Sequence, residues 1–402
     1  MPEDKWIELL NPYSVAGDLA PALVTAVGER DIEALNEQGG RIIIPWEGLS
    51  WARSYVSEDQ IGAAPRRASD LLAVGDVIRV KWYEPQPNAS ANKKGSTPTG
   101  YWRLEQVPKV EGALVSLDSR SGAIAALVGG FDFSLSKFNR ATQALRQPGS
   151  NFKPFIYSAA LDHGFTPASY INDAPIVFDA PGLGGAWRPE NYTGTYYGPT
   201  RLRDALANSR NLVSIRLMRQ VGVDTTIEHI SKFGFDARTL PHNLSLSLGT
   251  GELTPLQLAG GYAAFSNGGF RITPYFVAKI ERTEGTVEYV AEPLTACAAC
   301  DLAAEPTTEP EDLQALIAHE VAVKKTAPRA VDAQNAWLTY SMLKDVIIKG
   351  TGRRALELKR SDLAGKTGTT NDLKDAWFTG FNGLVVTTTW VGFDDSKPLG
   401  PQ

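Results

Sequence analysis

Gln147-Pro-Gly-Ser150-Asn-Phe-Lys153-Pro154-Phe-Ile-Tyr-Ser-Ala-Ala-Leu-Asp-His-Gly164 carries its own helix punctuation: Pro and Gly ahead, an apolar stretch within, and a closing glycine. Ser150 opens the helix, and the three-residue spacing sets Lys153 beside it. Pro154 is tolerated because the first helical N–H groups have no intrahelical acceptor. The pair joins a hydroxyl to an amine. A serine becomes a useful nucleophile only when a neighbouring base takes its proton, and a lysine serves as that base only where burial holds it neutral. Taken alone the S-x-x-K spacing arises often by chance, and a solvated first turn is its ordinary meaning.

Outward from this helix the chain divides near Val107-Pro108-Lys109. Residues 108–402 hold a hairpin over 113–128 and another turning at Asn382-Gly383, with helices between them at 200–207, 211–220 and 334–349. Strands at both ends and helices in the middle predict an α+β unit, an antiparallel sheet covered by helices. Residues 1–107 read as short strands at 21–27, 41–45, 76–83 and 100–107, broken by Gly, Pro, Asn and Ser, which predicts a small all-β barrel. Trp46, Trp51, Trp82 and Trp102 fit barrel core and rim better than a ligand platform.

Two further patterns follow Ser150 in order: Ser209-Arg210-Asn211, and Lys366-Thr367-Gly368-Thr369-Thr370 on a strand. S-x-x-K, S-D-N and K-T-G form the motif trio of penicillin-recognising serine enzymes, with Arg210 here in place of the aspartate. Longer stretches share the wording, among them Phe138-Asn-Arg-Ala-Thr-Gln-Ala-Leu-Arg-Gln-Pro-Gly-Ser150, Leu248-Gly-Thr-Gly-Glu-Leu-Thr-Pro255 and Lys366-Thr-Gly-Thr-Thr-Asn-Asp-Leu-Lys-Asp-Ala-Trp-Phe-Thr-Gly-Phe381. From Val110 to the end the chain resembles the class A penicillin-binding proteins, the Gram-negative 1A type in particular. An S-R-N middle element is ordinary in that family.

The resemblance implies a serine transpeptidase fold preceded by an OB-like barrel, and a serine-type D-Ala-D-Ala transpeptidase that crosslinks peptidoglycan stem peptides and is acylated by β-lactams. It implies Ser150 as nucleophile, Lys153 as acylation base, and Ser209 and Asn211 as proton relay and substrate amide holder. Lys366 supplies charge near the substrate carboxylate, with the Thr367 and Thr369 hydroxyls hydrogen-bonded to it. Gly368 lets the substrate backbone lie along the strand edge. The oxyanion hole is the backbone N–H of Ser150 and of Thr369. The acceptor is a diaminopimelate amine; no metal or organic cofactor is implied. The resemblance also implies a periplasmic site at the inner membrane, with a regulator at the OB-like domain. The family's membrane anchor and glycosyltransferase domain are not read in this chain, whose ends look like cuts into a linker and ahead of a closing helix. The rival functions are a serine β-lactamase, which needs a base on a water, a carboxypeptidase, and a non-enzymatic β-lactam receptor.

Composition agrees without adding to this. The 402 residues suggest two units, one large. A formal charge of −5 with scattered Lys and Arg gives no basic stripe, which argues against nucleic acid, and Lys93-Lys94 reads as a solvated loop tip. No run of eighteen apolar residues or signal-peptide pattern appears, so the chain itself is expected to make no membrane contact. Cys297 and Cys300 form a C-x-x-C without a second pair or nearby His, so a local disulfide fits better than zinc. None of His163, His229, His242 and His319 has metal-ligand spacing.

Overall fold

The computed structural model describes residues 3–57, 60–84, 100–180, 185–298 and 325–400. Lys93, Lys94, Cys300 and His319 lie outside these. Two compact units form: residues 1–109 with 131–137 and 400–402, and residues 110–130 with 138–399.

The smaller unit is built from β1 (Ala20–Val27), β2 (Asp31–Asn36), β3 (Arg41–Pro45), β4 (Val77–Tyr83) and β5 (Tyr101–Glu105), in the antiparallel order β3-β2-β1-β4-β5. β3 also comes within 8 Å of β5, so the sheet curls toward a barrel. Alternating Ala22, Val24, Ile32, Ala34, Ile42, Ile44, Ile78 and Val80 fill it. Trp46 and Trp102 pack on this core, while Trp51 and Trp82 are exposed at the rim. Strand β2 is not read from the sequence, because Asp31-Ile-Glu-Ala-Leu-Asn36 is poor in β-branched residues. Its pairing on both sides, with β1 and β3, overrides that propensity.

In the larger unit β6 (Glu111–Asp118), β7 (Ile124–Val128), β8 (Ala364–Thr369), β9 (Asp375–Phe381) and β10 (Val385–Gly392) make one antiparallel sheet, ordered β8-β9-β10-β6-β7. The two ends of the unit meet at the β6–β10 seam, from Glu111↔Gly392 to Asp118↔Val385. Strand β8, which holds Lys366, is an edge strand. The helices are α1 (Lys153–Asp162), α2 (Leu202–Ala207), α3 (Asn211–Val221), α4 (Val223–Ser231), α5 (Pro255–Ser266) and α6 (Ala333–Ile348). α5 and α6 pack on the sheet, and α1 lies among α3, α4 and α6, buried on every residue from Lys153 to Ala160. An element buried on all sides shows no polar face, so only its caps announce it.

Several local readings need correction. Thr200 and Arg201 belong to a short strand, Gly198–Arg201, paired with Tyr170–Asp173, and α2 starts only at Leu202. Helix α5 is hidden in sequence by Gly260-Gly261, yet Pro255 at its first turn and the Thr254/Gln257 capping box start it. A Cβ at Gly261 would lie 2.5 Å from the Phe235 ring, so that glycine serves ring packing. The β9–β10 turn closes one residue later than an Asn-Gly type I′ loop: Asn382 N–H donates to Val385 O, and Asn382 Oδ1 accepts from the Leu384 and Val385 N–H groups. An Asx turn replaces the left-handed pair. Cys297 is disulfide-bonded.

Candidate active site

Ser150 does not sit directly on α1 but on a 3₁₀ turn, Gly149–Phe152, that leads into it. Three glycines allow this turn to press against the edge strand on one side and the backbone at Gly249 on the other. A Cβ on Gly149 (φ +55°) would lie 2.5 Å from Thr369 O, one on Gly249 2.0 Å from Gly149 O, and one on Gly368 2.4 Å from Pro148 O. Gly368 has a job beside the one expected: its missing side chain makes room for the nucleophile turn. A buried polar chain then locks the turn. Asn151 Nδ2 donates to Thr379 Oγ1 (3.0 Å), Thr379 meets Thr388 (3.0 Å), and the Tyr262 hydroxyl lies 2.6 Å from Asn151 O and 2.5 Å from its Oδ1. Trp377 Nε1 and Arg146 Nε tie the preceding residues down, through Gln147 O (2.9 Å) and Asp375 Oδ1 (2.7 Å).

Ser209 arrives from the end of α2. It occupies the left-handed region (φ +57°), with its N–H on Leu206 O and the Arg210 N–H on Ala205 O, the two bonds of a Schellman cap. Glycine usually takes that position; a serine there costs about 1–2 kcal/mol, and such strain clusters at functional sites. The side chain so placed lies between two amines, with Lys366 Nζ at 3.0 Å and Lys153 Nζ at 3.3 Å from its Oγ. Lys153 Nζ also donates to Ser209 O (2.7 Å) and Asn211 Oδ1 (2.6 Å). Lys366 Nζ also donates to Thr367 O (3.0 Å).

Both lysines are fully buried. Burial pushes Lys153 well below the ordinary lysine range, the charges of Lys366 and Arg210 push it further, and Asp173 opposes them. Burial alone pushes Lys366 down to about 7. A neutral Lys153 has two N–H donors and one lone pair. Ser209 O and Asn211 Oδ1 can only accept, so they consume both donors and leave the lone pair for a hydroxyl proton.

The three motifs thus meet in one place, S-x-x-K with S-R-N through Lys153 and S-R-N with K-T-G through Lys366. Strand alternation sends Lys366 and Thr367 to opposite faces of the edge strand β8: Lys366 turns inward to Ser209, while the Thr367 hydroxyl meets Thr351 Oγ1 at 2.6 Å on the outer side. Sequence reasoning missed the supports. Asn191 Oδ1 accepts the Asn211 N–H (2.9 Å) while its Nδ2 holds Asp173 (2.8 Å), and Arg210 lies 3.5 Å over the Tyr197 ring. No local pattern marks these residues, since each acts through a partner distant in sequence. Among the described residues no group of His, Cys, Asp and Glu could hold a metal ion, and no helix is long and apolar enough to cross a membrane.

A strained serine between two buried lysines, one of them three residues after Ser150 on a tied-down turn, fits a class: serine acyl-transfer enzymes that use a lysine. Residues 112–397 match the family described as penicillin binding protein transpeptidase domain, and residues 1–110 match the penicillin-binding protein OB-like domain. The chain belongs to the penicillin-binding protein transpeptidase family. It is 45% identical to penicillin-binding protein 1A of Pseudomonas aeruginosa over 99% of this chain and 49% of that one, and 39% identical to penicillin-binding protein 1A of Escherichia coli over 98% and 49%. The crystal structure of penicillin-binding protein 1A from Haemophilus influenzae superposes with a TM-score of 0.82 at 35% identity, covering 100% of this chain and 56% of that one. The chain spans about half the length of the curated relatives it matches.

Proposed function

We propose that this chain carries the D,D-transpeptidase reaction of peptidoglycan synthesis. Ser150 Oγ attacks the carbonyl carbon between the two terminal D-alanines of a donor stem peptide, and its proton passes to Lys153. The amide C–N bond breaks as the Ser209 hydroxyl protonates the departing amine, and Lys153 restores the Ser209 proton. An ester of Ser150 remains. The side-chain amine of diaminopimelate on a neighbouring strand then attacks that ester, the C–O bond to Ser150 breaks, and the amine's surplus proton returns to Ser150. Asn211 holds the donor backbone, protonated Lys366 and the Thr367 and Thr369 hydroxyls hold the terminal carboxylate, and the Ser150 and Thr369 N–H groups hold the oxyanion. A β-lactam fits the same place and leaves a stalled ester.

The observation that carries this reading is Ser209 Oγ within 3.0 Å of one buried amine and 3.3 Å of the other, which supports a proton path between nucleophile and leaving group. The likeness to penicillin-binding protein 1A supports a place on the periplasmic side of the inner membrane. The exposed Tyr55, Val56 and Ile61 of the OB-like unit support a regulator's docking there. The test is adduct mass spectrometry after exposure to penicillin. One adduct is expected, on the peptide containing Ser150, and Ser150→Ala should abolish it without moving the thermal melt. An adduct on any other hydroxyl, or release within seconds as in a β-lactamase, contradicts the reading.

A further inference from the structure

Asp173 ends the short strand Tyr170–Asp173, opposite Gly198, and its side chain is fully buried. One carboxylate oxygen, Oδ1, accepts from Asn191 Nδ2 at 2.8 Å; the other, Oδ2, is sealed from solvent without a hydrogen-bond partner. Holding an amide needs only the first oxygen, and a neutral asparagine or serine would serve. A buried carboxylate with an idle oxygen is costly and rare, so the charge itself calls for a use.

The hydrogen bonds lead from it to the acylation base. Asn191, also buried, gives Nδ2 to Asp173 Oδ1 and to Thr195 O (2.9 Å), which uses both its donors and fixes which way its amide faces. Its Oδ1 then accepts the Asn211 N–H (2.9 Å), at the start of a helix that has no capping side chain of its own. Glu190 O, one residue earlier, accepts from Asn211 Nδ2 (2.8 Å), and that turns Asn211 Oδ1 to Lys153 Nζ at 2.6 Å. A polarisable chain, Asp173 to Asn191 to Asn211 to Lys153, thus joins a carboxylate to the amine.

The charges around Lys153 show what the carboxylate offsets. Burial, then Lys366 from β8 and Arg210 from the S-R-N segment, disfavour a positive charge there, and Asp173 is set against them. Tyr157, one turn along α1, is kept protonated by its burial. Arg216 faces Asp173 from α3, but its guanidinium donates to Ala174 O (2.7 Å) and Pro175 O (3.0 Å). When Lys153 takes the Ser150 proton, an ammonium forms in a dry core, and Ser209 O and Asn211 Oδ1 offer it only dipoles.

We propose that Asp173 is a positioning residue for acylation: through Asn191 and Asn211 its carboxylate aims the amide that meets Lys153, and its charge balances the ammonium formed when the Ser150 proton moves to Lys153 Nζ as Oγ bonds the carbonyl carbon. This rests on the transpeptidase reading above, in which Lys153 is the base. Acylation by a fluorescent penicillin is followed by stopped flow from pH 4 to 9, giving the maximal rate and the noncovalent Kd for the wild type, Asp173→Asn and Asn191→Ala. Asp173→Asn keeps the shape and an acceptor for Asn191 while removing the charge. Its maximal rate should fall at least about tenfold with Kd within about twofold. The acid limb of the second-order rate constant should move down by at least about half a pH unit, because an amine without its counter-charge holds a proton less firmly. A merely structural support would slow the reaction without moving that limb. Arg210→Gln supplies the opposite sign: loss of a cation should move the limb up, and into range if it lies below pH 4 in the wild type, where Asp173→Asn is then compared in that background. If Asp173→Asn fails to fold by circular dichroism, Asn191→Ala carries the test, with a fall in maximal rate at constant Kd. A limb that Asp173→Asn leaves in place, a wild-type maximal rate in Asp173→Asn or Asn191→Ala, or no acid limb even in Arg210→Gln overturns the proposal. Labelling of the wild type at a residue other than Ser150, mapped by mass spectrometry, would instead sink the transpeptidase reading and this inference with it.

Discussion

At the mouth of α1, Ser150 stands with Lys153, Ser209 and Lys366; near its far end Ser158 stands with His229 and Asp162. By residue type the far end is the more familiar catalytic set, with His229 Nε2 2.9 Å from Ser158 Oγ and Asp162 Oδ2 3.0 Å from Nδ1. Its hydrogen bonds run the wrong way. Asn335 Nδ2 donates to Ser158 O and to Asp162 Oδ1 (both 2.8 Å), which leaves Asn335 Oδ1 to accept the Ser158 hydroxyl proton at 2.8 Å. The imidazole must then donate to Ser158 instead of taking its proton. Asp162 lies close to Nδ1 but off the line of a hydrogen bond, and Ser158 is wholly buried, whereas Ser150 is partly open. The far cluster ties α1 to α4 and α6. The near one combines strain, access and amines whose charge burial disfavours. Chemistry requires those three conditions, and the residue names alone do not supply them.

Removing the base at each end separates the two most sharply. Lys153→Ala should slow acylation of Ser150 by about 10²–10⁴-fold with little change in noncovalent penicillin binding, while Ser158→Ala should keep labelling near the wild-type rate. Rapid-quench mass spectrometry reads both, and equal acylation by wild type and Lys153→Ala would point to another base. The His229 end should appear in stability instead. Burial holds His229 at about 4 against an ordinary 6.5, so the unfolded chain binds the proton more readily. Stability from this group is complete above pH 6.5 and is lost as pH falls toward 4, by about 3 kcal/mol in all. Denaturant titrations should show that loss, and His229→Gln should flatten it; an unchanged slope would assign the acid sensitivity elsewhere.

The smallest effect concerns Lys366. Its value near 7 leaves it partly protonated at neutral pH, and a bound carboxylate favours the protonated form. Noncovalent affinity for a carboxylate-bearing β-lactam, measured on Ser150→Ala by calorimetry, should hold below pH 7 and weaken above it, at most about tenfold per pH unit. An affinity flat to pH 9 would remove Lys366 from carboxylate recognition.

Much of the larger unit's outline is legible because its signals are local. Pro148-Gly149 ahead of Ser150, Gly164 behind α1 and the alternation in β6 act through neighbours within a few residues. Where the reading slipped, a distant contact had overridden the local preference: β2 held between two strands, and Gly261 under the Phe235 ring.

From the sequence alone came three motifs in order, the expectation that they act together, and the likeness to a family. Tertiary structure decided their chemistry. Lys153 meets a serine 56 positions away, and Lys366 meets the same serine across 157. An amine loses its charge only when the whole surrounding core excludes water from it, and no window of sequence contains that core.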